Sequence, residues 1–134
     1  MDLAFTREHE GFRTELRDWL ASAVRRPFAE DIADPTIDFD GLVVIRREFQ
    51  RKLNDAGYLG MDWPTEWGGR GATVVEKAIF QEEMQRADAP PVPNFLGLAL
   101  LGPALIHHGS EDQRRRFIPK MLSAEEIWCQ GFSE

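Results

Sequence analysis

The feature that most constrains this chain is a series of apolar stripes at helical spacing, each bracketed by residues that start or stop a helix. Phe5, Phe12, Leu16, Trp19, Leu20 and Ala23 fall on one face of a first helix. Thr6 is placed to cap it, Glu8 and Glu10 suit the positive end of its dipole, and Pro27 stops it after Arg25 and Arg26. A second stripe, Leu42, Ile45, Phe49, Leu53 and Ala56, follows Asp38 or Asp40 and ends at Gly57, the residue that best tolerates a left-handed terminus. Thr73 and Glu76 have the spacing of a capping box and open a third helix that runs to about Ala87. A fourth spans about Asn94 to His108 and ends at Gly109. It is apolar nearly all round and carries Pro103 as a possible kink, so the expectation is a central buried helix. Ser110 and Gln113 form a second capping box for a fifth helix, which Pro119 is expected to bend or shorten.

These patterns predict an all-α bundle of five or six helices. The stretch from Phe28 to Thr36 has no period and reads as a loop. Gly57 to Gly71 is a long loop rich in glycine, but Trp63 and Trp67 within it call for burial, so it is not a flexible linker. From Ile127 the helical period is lost and the residues to Ser133 read as the beginning of a β-strand without a partner in the sequence. The expected division is a helical domain over 1–126 and the start of a β-domain over 127–134.

With 134 residues and 43% hydrophobic composition, the chain suits one domain with one core. A net charge of -7 argues against nucleic-acid binding. The longest apolar segment, Phe95 to Ile106, is about half of a membrane span, so no membrane role is expected. The single cysteine, Cys129, allows no disulfide framework and points to a reducing, cytoplasmic setting.

Few residues announce chemistry by themselves. His107 and His108 are adjacent and so diverge on a helix; with His9 they read as helix-end residues near the dipole rather than ligands. Glu82 and Glu83 also diverge and read as a solvated face, and no Glu-x-x-His pair joins them, so no metal site is expected. Gly68, Gly69 and Gly71 match neither phosphate-loop pattern and read as a tight turn packed against Trp63 and Trp67. Arg114, Arg115 and Arg116 read as a solvated helix face, and Cys129 as a small buried residue.

Taken together, several segments resemble the acyl-CoA dehydrogenase family. These are Trp63-Pro64-Thr65-Glu66-Trp67-Gly68-Gly69 with Gly71; Phe80-Gln81-Glu82-Glu83 followed by Arg86-Ala87-Asp88-Ala89-Pro90; Leu101-Gly102-Pro103-Ala104-Leu105 leading to His108-Gly109-Ser110-Glu111-Asp112-Gln113; and Phe117-Ile118-Pro119 followed by Trp128-Cys129-Gln130-Gly131-Phe132-Ser133-Glu134. The family would continue with Pro and a Gly-Ser-Asp turn.

The resemblance implies an N-terminal helical domain, followed in such enzymes by a β-domain and a C-terminal helical domain, usually in homo- or hetero-tetramers. It implies FAD as cofactor, α,β-dehydrogenation of an acyl-CoA thioester, and electron delivery to an acceptor such as an electron-transfer flavoprotein. Gln130, Gly131, Phe132 and Ser133 match the positions that approach the flavin. The fourth helix resembles the one bordering the acyl pocket, with Leu96, Gly97 and Leu100 as candidate wall residues. No residue of this chain matches the catalytic base; Glu134 matches a structural turn instead, so these 134 residues alone are expected to be inactive and to bind FAD weakly. A stand-alone helical interaction module, or part of a related acyl-CoA oxidase-like flavoprotein, remain alternatives, and the acyl chain is left open.

Overall fold

The structure, a computed structural model, describes residues 5–131. All regular structure among the described residues is helical. Helix α1 spans Arg7–Ala23, α2 Phe28–Ala33, α3 Phe39–Asp55, α4 Val74–Arg86, α5 Gly102–His108 and α6 Glu111–Leu122. A 3-10 turn covers Thr65–Trp67, and a π-helical turn over Gly97–Leu101 runs directly into α5. The cap signals form as their chemistry dictates. The Thr6, Thr73 and Ser110 hydroxyls each accept from the N–H three residues on, and His9, Glu76 and Gln113 return the bond. Asp38 accepts from Gly41 N–H at 2.8 Å and starts α3.

Helix α1 lies against α4, and α3 against α6. Phe12, Leu16 and Leu20 of α1, Phe49 and Leu53 of α3, Ile79 and Phe80 of α4, and Ile118, Met121 and Leu122 of α6 share one core. Burying each such side chain contributes about 1.5–3 kcal/mol, which is what holds the bundle closed. The loop from 57 to 72 folds back on itself: Gly71 N–H donates to Trp63 O at 2.9 Å and Ala72 N–H to Met61 O at 2.7 Å. Trp63 is enclosed by it, 4% exposed. A Cβ at Gly69 would run into the Trp63 carbonyl, and one at Gly102 into its six-membered ring. The two glycines therefore let the loop close and let α5 press against the indole.

Four expectations change. Residues 28–33 form α2 rather than loop. Its first two N–H groups, of Phe28 and Ala29, are satisfied by the carbonyl and carboxylate of Asp88, both at 2.8 Å. Asp88 itself sits at φ 44°, just past the end of α4. The cap of α2 thus lies 59 residues away and no local signal announces it.

The 95–108 helix is not the central buried one. Gly97, Gly102 and Leu105 are buried, but Phe95 is 64% and Leu100 53% exposed. Apolar composition reports a need for cover, and the fold covers one side only. Pro103 does not break the helix. Gly102 N–H bonds to Gly97 O, five residues back, widening the turn where the proline ring would otherwise press on a carbonyl and where its own N–H is missing.

Pro119 does not shorten α6 either, which continues to Leu122. Residues 127–131 form no strand: among the described residues nothing offers them a ladder partner.

Candidate functional site

Between the 58–63 loop, α4 and the start of the 95–108 helix runs an open groove of about 800 Å³. Tyr58, Met61 and Trp63 form its floor, Phe80 and Met84 one wall, and Phe95, Leu98 and Ala99 the other. Arg46, Lys77 and Asp62 stand at the margin. Lys77 and Asp62 pair with each other at 2.5 Å, and Arg46 donates to the Pro91 carbonyl at 2.9 Å, so these margin charges are engaged. Aromatic and thioether surface dominates the lining, and Gln81, Gln85 and Asp88 add polar groups to it, a mixture that suits a small-molecule cleft.

Leu96, Gly97 and Leu100 are on the same helix but do not line the groove. Gly97 does not open space for a ligand; the place of its missing Cβ is taken by the Asn94 amide. Phe95, Leu98 and Ala99 hold the groove position, on the neighbouring face. Their spacing of three and four was legible, but a helix apolar on two faces does not say which one looks into a cleft.

Gln130 and Gly131 are exposed, and a Cβ at Gly131 would meet nothing within 4 Å. Among the described residues no hydrogen bond engages their backbone groups. Phe132 and Ser133 lie outside the described residues.

The titratable residues resolve differently than expected. Glu83 is not on a solvated face: it is 2% exposed. Arg13 Nη1 donates to it at 2.9 Å, and Arg17 grips it with two bonds at 2.7 and 2.9 Å. The Arg17 bonds, with Arg13 behind them, outweigh the opposing effect of burial and hold the Glu83 carboxyl down at about 2. An anion so firmly satisfied ties α1 to α4 and is a poor proton acceptor. Glu82 is exposed and joins through Arg13 at 2.7 Å. Tyr58 is pushed up to about 12 by burial and then by its bond to Glu15 at 2.9 Å, so it stays protonated.

His107 and His108 are exposed at the end of α5. Arg115 and Arg116 are solvated, whereas Arg114 folds over the Trp67 ring at 5.1 Å. Cys129 is exposed rather than buried. Glycines 60, 68 and 71 take positive φ in the Trp63 loop, as a tight turn requires.

The chain matches the acyl-CoA dehydrogenase N-terminal domain family over residues 6–125, the span of the whole bundle, and belongs to that family. It is 41% identical to acyl-CoA dehydrogenase IpdE1 of Mycolicibacterium smegmatis, over 95% of this chain and 33% of that protein. The fold superimposes on a subunit of the ChsE4–ChsE5 complex from Mycobacterium tuberculosis with a TM-score of 0.74 and 29% identity, covering 93% of this chain and 30% of that one. A second solved structure, the Tcur3481–Tcur3483 steroid ACAD, gives a TM-score of 0.72 at 29% identity over 95% of this chain and 32% of its own. The chain spans about a third of the length of these relatives.

Proposed function

We propose that the chain is the N-terminal part of a flavin-dependent acyl-CoA dehydrogenase, residues 1–126 being its helical domain and 127–134 the approach to a β-domain. The observation that carries this is the apolar groove between α4 and the 95–108 helix, on a chain matched by the family over residues 6–125. The groove holds the acyl portion of the thioester; Phe80, Met84, Phe95, Leu98 and Ala99 exclude water and set its shape. Leu96, Gly97 and Leu100, on the same helix, are further candidates for the acyl wall. Gln130 and Gly131, and with them Phe132 and Ser133, approach FAD with backbone groups. FAD, when bound, supplies the two-electron acceptor for α,β-dehydrogenation.

The groove's volume and its two methionines suit a bulky acyl group, and a steroid-type thioester is the substrate class we favour; one structural relative is a steroid ACAD. A hetero-oligomer is the favoured assembly, since another relative is a complex of two different subunits. Electrons pass on to an acceptor of the electron-transfer flavoprotein kind. A cytoplasmic setting accords with the single, unpaired cysteine.

The test is purification of the whole protein, a flavin absorption spectrum, and addition of straight, branched and steroid-derived acyl-CoA esters. Bleaching of the flavin, fastest with the bulkiest esters, is expected; no bleaching by any thioester overturns the reading. The 134-residue chain alone is expected to show no dehydrogenation and weak FAD binding in a titration.

A further inference from the structure

An α-helix leaves its last carbonyls without partners inside the helix. At the end of α6, six successive carbonyls are met by side chains instead. Gln50 donates to Met121 O and Leu122 O at 2.9 and 3.0 Å, Arg51 to Ser123 O at 3.3 Å, and Arg47 to Ala124 O and Glu125 O at 2.8 and 3.4 Å. Asn94 donates to Met121 O at 2.9 Å and to Glu126 O at 3.0 Å. Ala124, buried, turns through φ 57°, a conformation that side-chain-bearing residues avoid, and these donors hold it there.

Asn94 does more than cap. Its Oδ1 accepts from the Trp128 N–H at 2.9 Å, so one fully buried amide grips the chain on both sides of residue 127. It also begins the groove helix, its carbonyl accepting from Leu98 N–H at 2.9 Å. The amide occupies the space that a Cβ at Gly97 would need. Capping α6 needs nothing beyond residue 126; the bond to Trp128 reaches into the segment that runs on to Gln130 and Gly131. We propose that Asn94 is a positioning residue, joining the helix that carries the groove wall to the segment that approaches FAD, with Gly97 present to admit its amide. This rests on the functional reading above and adds a coupling between acyl site and cofactor.

The experiment uses the whole protein with Asn94→Ala, Gly97→Ala, the double variant, and Ile118→Val as a control that loses stability in the core without touching the segment. Two readouts are taken: amide hydrogen exchange at Trp128 and the visible circular dichroism of bound FAD, with kcat alongside. Asn94→Ala and Gly97→Ala are each expected to speed Trp128 exchange about tenfold, the loss of one buried hydrogen bond. Both are expected to alter the flavin dichroism and lower kcat, with the double variant no worse than Asn94→Ala, because Gly97→Ala acts by displacing that amide. Ile118→Val is expected to leave the dichroism unchanged. Faster exchange with wild-type dichroism and kcat would overturn the positioning role and leave Asn94 a structural cap. Additive effects in the double variant would overturn the link to Gly97. If the unaltered whole protein carries no FAD, the functional reading fails, and the positioning role with it.

Discussion

Helix α1 and the 95–108 helix are both rich in apolar residues, yet they end in opposite circumstances. In α1 the apolar stripe is flanked by charge. Leu16 and Leu20 are 0% and 2% exposed, and Arg13 and Arg17 close over Glu83 of α4 at the edge of the seam. The 95–108 helix has no such flanks. One side presses on Trp63 through Gly102, while Phe95 and Leu100 remain exposed. A stripe bordered by charge states which face is interior. A helix apolar all round states only that it wants cover, and leaves the source of that cover to the rest of the molecule. On the proposed reading, part of the cover is the substrate.

That contrast can be broken by experiment. The largest effect is expected at the closed seam: Leu16→Ala should lower the unfolding free energy by about 4 kcal/mol in urea denaturation, since the cavity sits where nothing can collapse into it. A loss below about 1 kcal/mol would mean that the seam is as loose as the groove helix. Glu83→Gln should cost about 3 kcal/mol, because the buried Arg13 loses its one buried carboxylate, keeping only Glu82 and Glu10, and Arg17 loses its ion-pair partner.

The same ion cluster sets a pH dependence. The Glu83 carboxyl lies at about 2 in the folded chain against an ordinary 4.5. A lowered folded value means the stabilisation is complete above 4.5 and drains away as the pH falls through that range toward 2. The urea midpoint should therefore drop between pH 5 and pH 3, and drop less in Glu83→Gln; equal drops would remove Glu83 as the cause.

At the junction of the two regions, Gly102→Ala should cost about 2 kcal/mol by driving a methyl into the Trp63 ring, read as a fall in melting temperature with a change in tryptophan fluorescence. The smallest effect belongs to the open helix. Leu100→Ala should stay within about 0.5 kcal/mol of wild type, and a larger loss would show that its side chain is held by contacts its exposure does not suggest.

What could be read in advance follows the range of each interaction. Thr6, Asp38, Thr73 and Ser110 cap helices through bonds to N–H groups three residues on, and all four form. The glycines around Trp63 could be read as turn residues because positive φ is a local property. The first helix of the pair joined by Asp88 could not, since the cap of α2 comes from the far end of α4. For the same reason Glu83 reads as a solvent residue by its neighbours in sequence and is a buried ion by its neighbours in space, Arg13 and Arg17. The groove falls between the two cases. Its helix was legible; that Phe95, Leu98 and Ala99 line the groove was not, while Gly102 and Gly97 of the same helix seat against Trp63 and Asn94.

Sequence by itself therefore determined the all-α class, the starts of α1, α3, α4 and α6, the tight turn at Trp63 and the family, because each is written in residues close together or in a linear order of motifs. Only the tertiary structure decided which apolar face borders the groove, that α6 passes through Pro119, and that six carbonyls at its end are gripped by Arg47, Gln50, Arg51 and Asn94. Those outcomes depend on donors and surfaces brought together from distant parts of the chain, and no local pattern encodes where a distant partner will stand.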